Sequence, residues 1–159
     1  MKTEQPEAVS LAMIDWRRGK WSSAKGKYSR DHTWLLAGGV KLRVSDTEAM
    51  VPEAYRDGVQ LDPEKMFVAT IASAHMLSWL HLTFAMGAEV ESYQDEAAGV
   101  LSEMGSDLHW VSEVILNPQI TYNERSRATA TAEARLHELA HEHCFIANSV
   151  KTKMTVKPP

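Results

Sequence analysis

Cys144 follows His141 and His143 near the end of a helix-forming segment, and a thiol beside an imidazolium is the ordinary arrangement for making a nucleophilic thiolate. Against this, the end of a helix carries the negative pole of its dipole, and a single cysteine is commonly a small buried hydrophobe. It is the only cysteine, so one chain can build neither an internal disulfide nor a multi-cysteine metal site. Just upstream, His137-Glu138-Leu139-Ala140-His141 has the H-E-x-x-H spacing that sets two imidazoles on one helical face with a carboxylate base between them. Zinc needs a third protein ligand. The extended form of the motif would want glycine at 144 and histidine at 147, where the chain has Cys144 and Ala147, and no Asp or Glu follows Glu142. We therefore read a solvated helix face and expect no metal. A third cluster, Arg17, Arg18, Lys20, Lys25, Lys27 and Arg30 interleaved with Trp16, Trp21 and Tyr28, has the composition of a nucleic-acid contact. With a formal net charge of -4 over the chain, we read it as an exposed hairpin whose aromatics face the core, and expect no nucleic acid.

The elements that must position these groups follow from periodicity and turn chemistry. Residues 8–16 and 33–44 alternate as strands, the second stretch folded at Gly38-Gly39, a dipeptide suited to a tight hairpin. Residues 45–61 are loop-like. Asp62 and Pro63 then mark a helix start, because Asp caps the first N–H groups and proline lacks the one that would go unpaired. From Met66 to Ala88 there is no Asp, Glu, Lys or Arg, and Gly87 is a natural stop. Such a stretch is long enough to cross a bilayer. Thr70, Ser73, His75, Ser78, His81 and Thr83 favour a buried core helix instead, so we expect no membrane span. Residues 88–101 and 108–120 read as two strands, with Leu108, Trp110, Val114 and Leu116 pointing one way. Residues 127–143 read as a second helix, with Leu136, Leu139 and Ala140 on one face. A last strand alternates Val150, Thr152, Met154 and Val156 against Lys151, Lys153, Thr155 and Lys157. Strands, long helix, strands, helix, strand is an α+β order.

At 159 residues with 44% hydrophobic and 24% charged content, the chain can bury one sizeable core and is expected to form one domain, 1–159, with a sheet region over 1–61 and the helix-containing region over 62–159. The first residues do not resemble a secretory signal, and a cytoplasmic protein is expected.

The segment Leu136 to Val150 with the strand after it resembles the C-terminal signature of the OsmC/Ohr family, and Cys144 falls on that family's resolving cysteine. Leu61-Asp-Pro-Glu-Lys-Met-Phe-Val-Ala-Thr-Ile-Ala-Ser-Ala-His-Met-Leu77 resembles the family's central helix, whose pattern runs Asp/Asn-Pro-Glu, an apolar stretch, a small residue, Cys and His. Ala74 stands where that cysteine belongs. Tyr28-Ser-Arg-Asp-His-Thr-Trp34 and Gly38-Gly39 are similar to the N-terminal sheet of one subgroup. The resemblance implies antiparallel sheets around long central helices in an entwined homodimer with active sites at its interface. It implies reduction of organic hydroperoxides and hydrogen peroxide by two cysteines, with no cofactor and an external thiol as reductant. Arg30 would stabilise the thiolate and Glu64 would hold Arg30. With Ala74 in place the two-cysteine cycle has no nucleophile. Three expectations stay open: a peroxidase scaffold whose first cysteine was replaced, a one-cysteine cycle on Cys144, or a non-enzymatic dimer holding a small apolar ligand near Ala74, His75, Met76 and Trp79.

Overall fold

A computed structural model describes residues 12–18, 28–47, 61–106, 108–124 and 128–158. Chain contacts divide it into two units, residues 1–63 and 64–159. In the first, β1 (Ala12–Asp15), β2 (His32–Leu36) and β3 (Val40–Val44) form an antiparallel sheet in the order β1-β2-β3. Gly38 and Gly39 sit at φ 86° and 84°, a left-handed conformation that a Cβ would oppose, and they turn Leu36 back onto Val40. Residues 8–11 of the expected first strand, and 48–60 of the expected loop, lie outside the described residues.

In the second unit α1 (Pro63–Ala85) starts and stops as its cap residues predict, and Gly87 at φ 79° donates its N–H to the Phe84 carbonyl. The helix is apolar on all sides, yet only one row spaced by four is fully enclosed: Ile71, His75, Trp79 and Thr83. By length and composition it could cross a membrane. Ile71 packs against Val114 and Leu116 of β6 (His109–Leu116), while Trp79 packs against Leu136 and Ala140 of α2 (Ala130–His143). Thr129 caps α2, its hydroxyl accepting from the Ala132 N–H, so the helix begins three residues later than its Ala-rich composition predicts.

The two expected strands between the helices are four. Residues 88–101 divide into β4 (Val90–Asp95) and β5 (Ala98–Glu103), and residues 108–120 into β6 and β7 (Pro118–Tyr122). The halves go to different sheets, β4 pairing with β7 and β5 with β6. The corner is tied by Asp95, whose Oδ1 accepts the Asn117 N–H at 2.7 Å. β6 carries an irregularity opposite Val100 and Leu101 that inserts Ser112 and shifts the alternation by one residue. Val111, Val114 and Leu116 therefore join the core about Ile71, and Leu108, expected beside them, is 59% exposed. The last strand is shorter than its alternation predicts, β8 (Lys153–Val156), and it pairs with β6 in parallel.

Gly99 of β5 marks a close approach of helix and sheet. A Cβ there would lie 2.7 Å from Cγ2 of Val68, a branched side chain held by its helix in one rotamer. Gly99→Ala is expected to lower stability by about 1–3 kcal/mol through overpacking. Urea unfolding checks this, and an unchanged midpoint would refute the contact.

Candidate functional site

The row Ile71-His75-Trp79-Thr83 brings an imidazole and an indole onto α2. His75 Nε2 lies 3.0 Å from His137 Nδ1, the two rings within 10° of parallel. His137 also lies over the indole of Trp79, 5.6 Å between centroids and 24° between planes. Tyr93 of β4 and Tyr122 of β7 close the other sides of the indole at 5.4 and 6.2 Å, and the Tyr122 hydroxyl donates to Glu133 Oε2 at 2.9 Å. His75 is fully buried and His137 only 5% exposed.

Burial disfavours charge on both rings. The pKa of His75 falls from the usual 6.5 to about 4, through desolvation first and then repulsion from His137 and His141. His137 falls to about 4 through desolvation alone. At neutral pH this is an uncharged pair in which one ring donates and the other accepts. Burial likewise pushes the phenols of Tyr93 and Tyr122 upward and raises the carboxyl of Asp95. His75 Nδ1, His137 Nε2, Trp79 Nε1 and the Tyr93 hydroxyl are enclosed with no hydrogen-bond partner among the described residues.

The residues that the family resemblance picks out all fall among the described residues. Ala74 is half-buried on α1 beside the His75 row, its carbonyl accepting from Ser78 Oγ at 3.0 Å. Met76 is half-buried, and Trp79 fully so. Cys144 closes α2, its N–H donating to the His141 carbonyl, and it is 1% exposed. No hydrogen bond or ion pair reaches its sulfur among the described residues. Glu64 lies in the first turn of α1 with one oxygen, Oε2, enclosed and unpartnered. It lines a groove of about 430 Å³ with Val68, Ala72, Asp95, Gly99 and Val111. In the first unit Arg30 pairs with Asp46, Nε to Oδ2 at 3.1 Å, and lies over the Tyr28 ring at 4.7 Å. Among the described residues of this unit, Asp46 is thus a carboxylate on Arg30, one that the spacing does not suggest. Trp16 meets Tyr28 edge-on at 6.2 Å, and both rings are partly exposed rather than sunk in a core. Residues 19–27 of that basic segment lie outside the described residues.

The H-E-x-x-H spacing does not set its two imidazoles side by side in solvent. His137 turns inward to His75, while His141 is exposed, and among the described residues no group of three metal-ligand side chains comes together. Sequence spacing does not predict the pairing of His75 with His137, 62 positions apart. The available signal was the position of His75 within a charge-free row spaced by four.

Residues 56–158 match the protein family described as OsmC-like protein. The whole chain is similar to the structure of an OsmC-like protein of unknown function from Vibrio cholerae, with 37% identity, a TM-score of 0.87 and coverage of 95% of this chain and 99% of that one. At 18% identity the fold matches an organic hydroperoxide resistance protein OsmC from Legionella pneumophila, with a TM-score of 0.70 over 96% of each chain. At 15% it matches the organic hydroperoxide resistance protein OhrB of Bacillus subtilis, with a TM-score of 0.65 over 94% of this chain and 98% of that one. No curated protein matches.

Proposed function

Because the chain belongs to the OsmC-like protein family, we propose that it is a thiol peroxidase scaffold of the peroxide-defence type whose two-cysteine cycle is disabled at Ala74. The observation that carries this reading is the state of the one thiol. Cys144 is 1% exposed, ends a helix at its negative pole, and has no cation or hydrogen-bond donor on its sulfur among the described residues. Such a thiol resolves a sulfenic acid formed beside it far more readily than it attacks peroxide itself, because attack needs an accessible thiolate. In the intact cycle a thiolate at position 74 would take one peroxide oxygen, the O–O bond would break, and the alcohol would leave. The sulfenic acid would then condense with Cys144, releasing water, and an external dithiol would reduce the disulfide. A methyl group at position 74 stops this at the first step.

The protein acts as a cytoplasmic homodimer. Support comes from α1, which carries no charge from Met66 to its end yet leaves Leu77 60% and Phe84 54% exposed, an apolar face that a second copy would cover. A second reading, a non-enzymatic dimer that holds a small apolar molecule, draws on the groove lined by Glu64, Val68 and Ala72, on a face of α1 that Ala74 does not share.

The test is consumption of cumene hydroperoxide with a dithiol reductant by the full chain and by Cys144→Ser. Both are expected to proceed at the protein-free rate. A rate in the parent that Cys144→Ser abolishes would make Cys144 the attacking thiol and overturn the proposal.

A further inference from the structure

The motif His137-Glu138-Leu139-Ala140-His141 takes no part in the chemistry proposed at Ala74, yet it lines a second groove. This groove, about 500 Å³, lies between α2 and the β8 end of the chain. Ala134, Met154, Val156 and Pro158 give it apolar walls, and His137 lies in its lining. The His137 ring spends Nδ1 on His75 and keeps Nε2, which diverges from that bond, without a partner among the described residues. Only 5% of the residue is exposed, and Nε2 is enclosed. An enclosed polar atom with no partner carries a desolvation penalty that a ligand atom can remove.

The rim sets the charge of that ligand. Glu138 and Glu142 are both exposed, and Arg135 reaches them at 2.7 and 3.8 Å, while Lys157 lines the same groove. Two anions against two cations favour a neutral molecule. The His75–His137 bond sets the polar requirement. If His137 donates through Nδ1, its Nε2 is an acceptor, and if His75 donates, Nε2 carries the proton. A hydroxyl can both give and accept a hydrogen bond, so it satisfies Nε2 in either case. An ether or carbonyl oxygen satisfies only one.

We propose that the groove between α2 and β8 binds a neutral alcohol or phenol, its apolar body against Ala134, Met154 and Val156 and its hydroxyl on His137 Nε2. The site is separate from Ala74 and does not depend on thiol chemistry. Success or failure here is therefore independent of the peroxide assay.

The experiment titrates the full chain at pH 7.5 with 4-ethylphenol, 4-ethylanisole and ethylbenzene, and follows the imidazole nitrogens by NMR. The expected result is that 4-ethylphenol binds about tenfold tighter than ethylbenzene, the worth of one hydrogen bond to a buried group, and shifts the His137 nitrogens. His137→Phe should erase the preference between the two. Ala134→Trp, a change at an exposed helix position that fills the groove without touching the core, should weaken 4-ethylphenol at least tenfold while leaving the urea midpoint unchanged. Absence of binding, equal affinity for 4-ethylphenol and ethylbenzene, unmoved His137 nitrogens, or indifference to Ala134→Trp would each overturn the proposal.

Discussion

Acidification from pH 7 to pH 5 is expected to cost the unit formed by residues 64–159 about 2–4 kcal/mol, well before most carboxylates protonate. The cause is the pair His75 and His137, whose folded pKa values are about 4 against 6.5 in the unfolded chain. Below 6.5 the unfolded chain takes up two protons that the folded chain refuses. Stability is therefore complete above 6.5, falls as the pH drops from 6.5 towards 4, and flattens below that. Each imidazole contributes about 1–2 kcal/mol at pH 5, a large part of the margin of a domain this size. Asp95, with a raised carboxyl pKa, acts in the opposite sense, since it binds its proton more readily when folded. Urea midpoints measured across this pH range test the idea, and replacing both histidines by leucine should flatten the fall. A wild-type midpoint that stays level between pH 6.5 and 4.5 would show that the pair is hydrated and able to charge in place.

The second large effect is a gain. Ala74→Cys is expected to raise cumene hydroperoxide consumption, with a dithiol as reductant, by a hundredfold or more over the parent, on the order of what a missing nucleophile costs other covalent enzymes. The restored thiol should form a disulfide with Cys144 after one turnover, visible as a loss of two hydrogen atoms in the mass of the isolated chain. Ala74→Cys with Cys144→Ser should stall as a sulfenic acid that monothiols release. If Ala74→Cys folds with an unchanged urea midpoint yet consumes no hydroperoxide, position 74 is not where the chemistry of this scaffold begins.

What could be read from the residues beforehand was whatever depends on neighbours in the chain. The entry to α1 at Asp62-Pro63, its exit at Gly87 and the hairpin at Gly38-Gly39 are local statements, and the structure keeps them. The break between β4 and β5 was hidden because no Gly or Pro stands at Glu96 and Ala97, whereas the break between β6 and β7 carries its own signal in Asn117-Pro118. The side chain of Asp95, reaching the backbone of Asn117 22 residues on, ties the corner there. The extra residue in β6 reverses which face Leu108 shows, and periodicity counted in one strand cannot register a partner's slip. In the site, Cys144 proved as enclosed as a hydrophobe of its size, whereas His75 and His137, 62 positions apart, meet through packing alone. The Asp46 partner of Arg30 was not legible, because nothing in the spacing distinguishes Asp46 from other nearby acids.

The parallel pairing of β8 with β6 has a kinetic consequence. The Thr152 hydroxyl donates to the Val111 carbonyl across 41 positions, so the sheet cannot close until the whole excursion through β7 and α2 has been made. Loop entropy is spent before any of those contacts repay it. The β5–β6 hairpin can form early and wait, and the slowest step in assembling this unit is the arrival of four residues, Lys153 to Val156, at an edge left open for them.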